Sequence, residues 1–156
     1  MRLEGTYEFE TNQQVVWNML QDPNVIGSII PGANGLEAMG DNKYQSAIVV
    51  KVGPVQGRFE ARIELADLQP PDTYRLIFHG SSPVGLVDGE GVVQLEEVAG
   101  ITTMFYSGDA VVGGKIATVG QRLLDVAAKA IAKQALNALA RKIQGAIDTN
   151  ASALAE

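Results

Sequence analysis

The stretch GGKIATVGQRLLDVAAKAIAKQALNALARKIQGAI, residues 113–147, decides the fold of this chain. It is rich in alanine, leucine, lysine and arginine, which favour helices, and it contains no proline. We predict one long helix that begins after the Gly113-Gly114 break. Its first part carries an apolar stripe at three- and four-residue steps, suited to packing on a sheet: Ile116, Val119, Leu123, Val126, Ala127 and Ala130.

The apolar residues of the last turns follow a different phase. At about 100° per residue, the face that begins with Ile116 next presents Gln134, Asn137 and Arg141. The apolar residues between 136 and 147 then fall on the opposite side. Either the helix bends or outruns its sheet, or its last turns bury against something else. A second subunit, a membrane-bound partner and the helices near the start of the chain all fit that second reading.

Composition limits the class of protein. A chain of 156 residues is long enough for one domain with a proper core. The net charge of −6 argues against a nucleic-acid surface, and the absence of cysteine excludes disulfides and thiolate metal sites. We read no signal peptide and no apolar run of the roughly 20 residues that span a bilayer. We therefore expect a cytoplasmic protein.

The part before residue 113 predicts strands and two short helices. Residues 2–10 alternate between apolar and polar side chains, as a half-buried strand does. Thr11 has the form of an N-cap for a first short helix, and Asp22-Pro23 begins a second. Further strands are predicted at 35–39, 44–52, 58–68, 73–80, 86–98 and 101–112, joined by short turns.

This order predicts an α+β fold. Short connections imply a curved seven-stranded antiparallel sheet, which wraps around the long C-terminal helix because no other element is large enough to cover it. Two short helices follow strand 1. We assign residues 1–147 to a single ligand-binding domain and residues 148–156 to a C-terminal tail, the start of a linker in one reading.

Small residues predict a cavity between the sheet and the helix. Glycine stands inside strands at 5, 89, 91 and 108, and the helix is rich in alanine. Alternatively, these residues only permit tight packing. Loops at one end of the sheet then form a ligand portal. The predicted portal residues are Pro31, Gly32, Gly53, Pro54, Pro83, Gly85, Gly113 and Gly114.

The sequence predicts neither a catalytic site nor a metal site. The single histidine, His79, shares an outward strand face with Arg75. One histidine without cysteine supports neither a zinc site nor a catalytic triad. Asp88 and Glu90 form a carboxylate pair with Asp109 on a neighbouring strand, but alternating charges of this kind are typical of a solvated face.

The chain resembles a known family through several motifs that follow one another along the sequence. They are Val16-Trp17, Asp22-Pro23, Ile30-Pro31-Gly32, Val52 to Phe59, Pro70-Pro71 with Tyr74 and Leu76, Gly85 with Gly89, Thr102 with Tyr106, and Gly113 to Leu123. Together they resemble the CoxG-like family of carbon monoxide dehydrogenase subunits, within the START-like (SRPBCC) helix-grip superfamily. The resemblance covers nearly the whole chain, and the motif at 113–123 is its strongest part.

The resemblance implies a non-catalytic accessory protein of a carbon monoxide dehydrogenase-type molybdenum hydroxylase, active at the inner face of the cell membrane. It implies no covalent cofactor and a bound hydrophobic ligand, a quinone or a lipid, between the sheet and the face formed by residues 116–130. The predicted ligand contacts are Tyr44, Phe59, Tyr74, Phe78, Met104, Tyr106, Ile116, Val119 and Leu123. A hydroxyl of Tyr44, Thr102 or Tyr106 is suited to orient a quinone carbonyl.

Two other functions fit the same fold. One is a cyclase- or hydrolase-like enzyme, which needs Asp88, Glu90 or Asp109 inside the cavity. The other is an assembly factor with a filled core and no ligand, which works through its glycine loops and the apolar stripe at 136–147.

Overall fold

The computed structural model describes the backbone of residues 1–155 and the side chains of residues 1–148. Within that part of the chain, seven strands and three α-helices follow one another in the predicted order. Their bounds are β1 Arg2–Phe9, α1 Gln13–Gln21, α2 Pro23–Ile29, β2 Glu37–Gly40, β3 Lys43–Val52, β4 Val55–Gln69, β5 Thr73–Ser82, β6 Gly85–Val98, β7 Ile101–Gly113, a 3₁₀ turn Lys115–Val119 and α3 Gln121–Ala155.

The seven described strands form one antiparallel sheet, which confirms the predicted fold class. Their order is β1-β7-β6-β5-β4-β3-β2, so each strand from β2 to β7 pairs with its neighbour in sequence and β1 pairs with β7. Asn42, between β2 and β3, has a φ of 58°, and Gly100, between β6 and β7, has a φ of 81°. Glycine and asparagine tolerate this left-handed conformation better than other residues.

The N-cap of the first short helix lies one residue later than predicted. Asn12 is the N-cap in place of Thr11, because its side-chain oxygen accepts a hydrogen bond from the Val15 backbone N–H at 3.0 Å. Asp22 caps the second short helix and Pro23 stands in its first turn, as predicted.

Gly120 breaks the predicted long helix near its start. Residues Lys115–Val119 form a 3₁₀ turn, and Gly120 has a φ of 96°. The prediction of one helix beginning at residue 115 is therefore wrong, and α3 begins at Gln121. A glycine inside a helical pattern is the sequence signal for such a break. At its other end α3 passes residue 147 and continues to Ala155, so the proposed division into domain and tail stays a prediction.

The buried face of α3 is not the predicted stripe. Leu123 is 42% exposed and Val126 is 60% exposed. The predicted stripe starts at Ile116, which is buried but stands before Gly120. A break in the helix at Gly120 changes the direction in which every later side chain points. The buried side chains of the described part of α3 are instead Leu124, Leu136, Leu139 and Ile143.

The last apolar turns of α3 bury against the two short helices. Leu139 and Ile143 belong to the same core cluster as Trp17 and Leu20 of α1 and Ile29 of α2. Of the readings that the sequence left open, the structure selects contact with helices near the start of the chain. Residues on three helices thereby pack at one end of the sheet.

The core of the described chain has two separate parts. The larger cluster joins α1, α2, the middle strands and the distal half of α3, and includes Phe9, Trp17, Leu95 and Leu139. The smaller one joins the hairpin of β3 and β4 to the 3₁₀ turn and the start of α3. Its members are Val52, Val55, Phe59, Ile116 and Leu124.

Candidate ligand-binding cavity

The concave face of the sheet carries glycine where β6 and β7 lie side by side. Gly91 faces Gly108 in the register. A Cβ atom at Gly91 would lie 2.9 Å from the backbone oxygen of Ser107, and one at Gly108 would lie 2.8 Å from that of Glu90. The two strands approach each other too closely for side chains here. The concave face is therefore bare backbone where Gly91 meets Gly108.

A cavity of about 250 Å³ lies over this bare patch, between the sheet and α3. Gly89, Gly91 and Gly108 line it from the sheet, and Ala128 lines it from the helix. The larger apolar side chains around it include Leu3, Leu76, Phe78, Val93 and Tyr106, with Met1 and Val87.

The cavity exists because the two core clusters do not meet. Leu76, Phe78 and Tyr106 pack against the larger cluster, whereas Val87 and Ala127 pack against the smaller one. Between them, glycine on the sheet and alanine on α3 supply too little volume to fill the space. The backbones of β6 and β7 therefore pack tightly against each other, and the cavity lies directly above them.

The predicted ligand contacts fall into several groups. Phe78 and Tyr106 line the cavity. Tyr44 and Val119 are partly buried, the first against the larger cluster and the second against the smaller one. The predicted contacts that are buried as members of the two clusters are Phe59, Tyr74, Met104 and Ile116.

Leu123 does not face the cavity. It lies on the exposed side of α3, and its Cδ1 would be 3.3 Å from a Cβ built at Gly53 in the β3–β4 turn. The assignment of the 116–130 stripe to the inner face is therefore wrong for Leu123, Val126 and Ala130, because Gly120 resets the phase of the helix.

Sequence reasoning missed other lining residues. Leu3 and Leu76 alternate onto the concave face of their strands, so their pattern was sufficient to place them near the cavity. Ala128 had no such signal, because the predicted phase of the helix directed it elsewhere. The strand pattern identifies Gly89, Gly91 and Gly108 only as small residues that leave room.

Three of the predicted portal loops lie together. A Cβ atom at Gly114 would lie 2.6 Å from the Cα of Gly85, and the Ile116 N–H donates to the Val84 carbonyl oxygen at 2.8 Å. Gly53 lies near the start of α3. These loops cover the smaller core cluster. Within the described chain the cavity is lined by other residues, and the opening of these loops to a ligand stays a prediction.

The fourth predicted portal loop is separate. The Gly32 carbonyl oxygen accepts a hydrogen bond from the Val49 N–H at 3.0 Å, and Ala33 forms a bridge to Ile48. Pro31 and Gly32 therefore hold the end of α2 against β3.

The strand carboxylates lie on the outer face of the sheet. The Arg75 guanidinium donates to the Glu90 carboxylate at 2.9 Å, and His79 contacts Asp88. Arg2 donates to Asp109 at 3.0 Å. All three carboxylate side chains are more than half exposed. Their exposure and their pairing with basic side chains agree with the solvated face that the pattern indicated.

One buried tyrosine has a shifted pKa. Tyr74 stands edge-on to Trp17, with ring centroids 5.6 Å apart, inside the larger core cluster. Burial raises the pKa of Tyr74 well above its ordinary value of 10.0, because the phenolate would lose its hydration. This tyrosine is a neutral core residue at physiological pH.

A curved antiparallel sheet around a long C-terminal helix, with a cavity between them, defines the helix-grip class of proteins. The chain belongs to the CoxG family of carbon monoxide dehydrogenase subunits, whose family model matches residues 5–144. A conserved protein from Geobacillus kaustophilus has a similar structure, with a TM-score of 0.89 and 32% sequence identity. That match covers 93% of this chain and 96% of the Geobacillus chain.

More distant structures share the fold alone. The Zhui aromatase/cyclase from Streptomyces sp. R1128 matches with a TM-score of 0.69 and 16% identity, over 92% of this chain and 93% of that one. A protein from Thermus thermophilus matches with a TM-score of 0.69 and 14% identity, over 94% and 99% of the two chains. A search of curated protein sequences found no match.

Proposed function

We propose that this chain is a non-catalytic accessory protein of a carbon monoxide dehydrogenase-type molybdenum hydroxylase. In this proposal it binds a quinone or a lipid in the cavity and helps to couple or anchor the enzyme at the inner face of the cell membrane. Membership in the CoxG family supports the link to that enzyme. The apolar cavity between the two core clusters is the observation that supports ligand binding.

The size of the cavity favours a ring over a long chain. A cavity of about 150 Å³ in another protein holds benzene, and sites for drug-sized ligands usually measure about 300–1,000 Å³. At about 250 Å³, this cavity has room for a substituted ring such as a quinone head group. A long apolar tail would have to lie outside it.

Charge distribution supports contact with an anionic membrane surface. Residues 115–148 carry six Lys or Arg and two Asp, whereas residues 1–114 carry six Lys or Arg and fifteen Asp or Glu. On the exposed side of α3, Leu123 and Val126 lie beside Arg122, Lys129 and Lys133. Apolar side chains flanked by cations are the pattern of helices that lie in a membrane interface. No helix of the described part is long and apolar enough to cross a bilayer.

The enzyme alternative has less support. Its candidate carboxylates, Asp88, Glu90 and Asp109, are exposed on the outer face and paired with His79, Arg75 and Arg2. The likeness to an aromatase/cyclase is a likeness of fold. The assembly-factor alternative requires a filled core, and the cavity over Gly91 and Gly108 argues against that requirement.

Native mass spectrometry, with organic extraction and identification of any bound molecule, tests the proposal. A matched pair of variants on α3 then places the ligand. Ala128→Leu adds volume inside the cavity, whereas Ala130→Leu makes the same change on the exposed side of the helix. We expect Ala128→Leu to lose the ligand and Ala130→Leu to keep it.

Two results would contradict the proposal. One is a ligand-free protein that also fails to bind added short-chain quinones and single-chain lipids. The other is a ligand retained equally by both alanine variants, which would place it outside the cavity.

A further inference from the structure

On the concave side of the sheet, one residue that lines the cavity has a polar side chain. Among the described lining residues that face the concave side, Tyr106 alone has a hydrogen-bonding side chain. Its ring packs against the larger core cluster. Within the described chain its hydroxyl has no hydrogen-bond partner.

Other hydroxyls on the same face of the sheet are already engaged or lie elsewhere. Tyr7 donates to the Asn137 side-chain oxygen at 2.8 Å, and Thr102 donates to the Thr11 carbonyl oxygen at 2.8 Å. Tyr44 lines a separate depression near β2, with Met39 and Arg62 among its neighbours. Of the three residues whose hydroxyls the sequence offered for orienting a ligand, Tyr106 alone both lines the cavity and has a hydroxyl without a hydrogen-bond partner in the described chain.

The position of this hydroxyl depends on Gly5 of the edge strand β1. Gly5 faces Tyr106 in the register. A Cβ atom at Gly5 would lie 2.5 Å from the Tyr106 hydroxyl oxygen. The absence of a side chain at residue 5 thus makes the space in which the hydroxyl lies.

We propose that the cavity takes a ring-sized apolar molecule with a hydrogen-bond acceptor oxygen at its edge, and that the Tyr106 hydroxyl donates to that oxygen. This inference rests on the proposed ligand-binding function and adds its chemical selectivity. An apolar site with one donor prefers a ring carbonyl to a plain hydrocarbon of the same shape. Water solvates the carbonyl before binding, so a ligand that enters must regain a hydrogen bond inside.

The test compares two probes that share a shape and differ in the acceptor. Tetramethyl-1,4-benzoquinone carries two ring carbonyls, whereas 1,2,4,5-tetramethylbenzene carries none. Their dissociation constants are measured by ligand-observed NMR with the full chain and with Tyr106→Phe. We expect Tyr106→Phe to weaken the quinone about 5-fold, since a neutral hydrogen bond corresponds to roughly 2- to 12-fold in affinity. Affinity for the hydrocarbon should stay the same.

Two further variants sharpen the comparison. Tyr44→Phe removes a hydroxyl outside the cavity and should change neither affinity. Gly5→Ala keeps Tyr106 but displaces its hydroxyl, so it should reproduce the selective loss of quinone affinity. Gly5→Ala also tests the role of the hydroxyl if Tyr106→Phe folds poorly.

The outcomes distinguish the role of the Tyr106 hydroxyl from ligand binding in the cavity as such. Equal weakening of both probes, or of neither, overturns the role of Tyr106 and leaves the cavity as a ligand site. Failure of both probes to bind the unaltered protein overturns ligand binding in the cavity and this inference together.

Discussion

The hydroxyl of Tyr7 donates a hydrogen bond to the side-chain oxygen of Asn137 at 2.8 Å, across 130 residues of sequence. Tyr7 stands on the edge strand β1 and Asn137 in the middle of α3. This contact fixes the long helix to the open edge of the sheet, next to the region where the cavity separates the two elements. The helix is thereby positioned by a polar contact as well as by its apolar face.

Removal of this contact should loosen the attachment of α3. We expect Tyr7→Phe to lower the free energy of unfolding by about 0.5–1.5 kcal/mol, the usual net value of one hydrogen bond. A double-mutant cycle with Asn137→Ala, measured by urea denaturation, should give a coupling energy of about 1 kcal/mol. Strict additivity of the two substitutions would show that the hydrogen bond contributes nothing to stability.

The two faces of α3 should respond very differently to truncation. Leu139 is fully buried, so Leu139→Ala should cost about 2–5 kcal/mol of unfolding free energy through lost burial and a new void. Val126 is 60% exposed, so Val126→Ala should change it by no more than about 0.5 kcal/mol. Thermal or urea unfolding measures the effect of each substitution. A larger loss for Val126→Ala than for Leu139→Ala would support the buried stripe that was predicted from the sequence.

Two glycines on alternate positions of β6 should differ in their tolerance of a methyl group. A Cβ at Gly91 would lie 2.9 Å from a backbone oxygen, so we expect Gly91→Ala to cost about 1–3 kcal/mol. A Cβ at Gly89 would lie 3.4 Å from its nearest neighbours, so Gly89→Ala should be neutral or stabilise by up to about 1 kcal/mol. Urea denaturation measures the free energy of unfolding of both variants. A similar loss at both positions would contradict the close approach of β6 and β7.

Tyr74 should make the protein less stable at alkaline pH. Its folded-state pKa is raised above the unfolded value of 10.0, so the folded state holds the proton more tightly. The corresponding stability is fully present below pH 10 and is lost as pH rises from there towards the folded pKa. We expect unfolding free energy measured from pH 8 to 11 to fall more steeply for the unaltered protein than for Tyr74→Phe. Parallel curves would show that Tyr74 ionises normally.

Membrane contact through α3 should depend on its cations. In sedimentation with phosphatidylglycerol-containing vesicles, Lys133→Glu should reduce binding about 10-fold, because each basic residue near an anionic surface is worth about 1 kcal/mol and a carboxylate is repelled. Lys43→Glu makes the same change in net charge on an exposed residue of β3 and should have a smaller effect. Equal losses from the two variants would argue for a net-charge effect without a docking face.

Much of the fold was predictable because its signals are local. Alternating strands, glycine- and proline-bearing turns and an alanine-rich helix each depend on neighbouring residues, and the seven strands lie where the pattern put them. The ordered motifs also identified the CoxG family, which the family model confirms over residues 5–144. Alternation likewise placed Phe78 and Tyr106 on the inner face, where both line the cavity.

The sequence by itself determined the element order, the antiparallel sheet and which strand residues face the helix, since strand alternation follows from backbone geometry. Only the tertiary structure decided which side of α3 meets the sheet. That choice depends on the backbone angles of Gly120, because a glycine in a helical pattern signals a break but does not fix the rotation of the helix beyond it. The structure also decided where the cavity lies, because the hollow depends on Gly91 facing Gly108 across two strands and on Ala128 standing above them. Such a relationship joins residues far apart in sequence and exists only once the chain has packed.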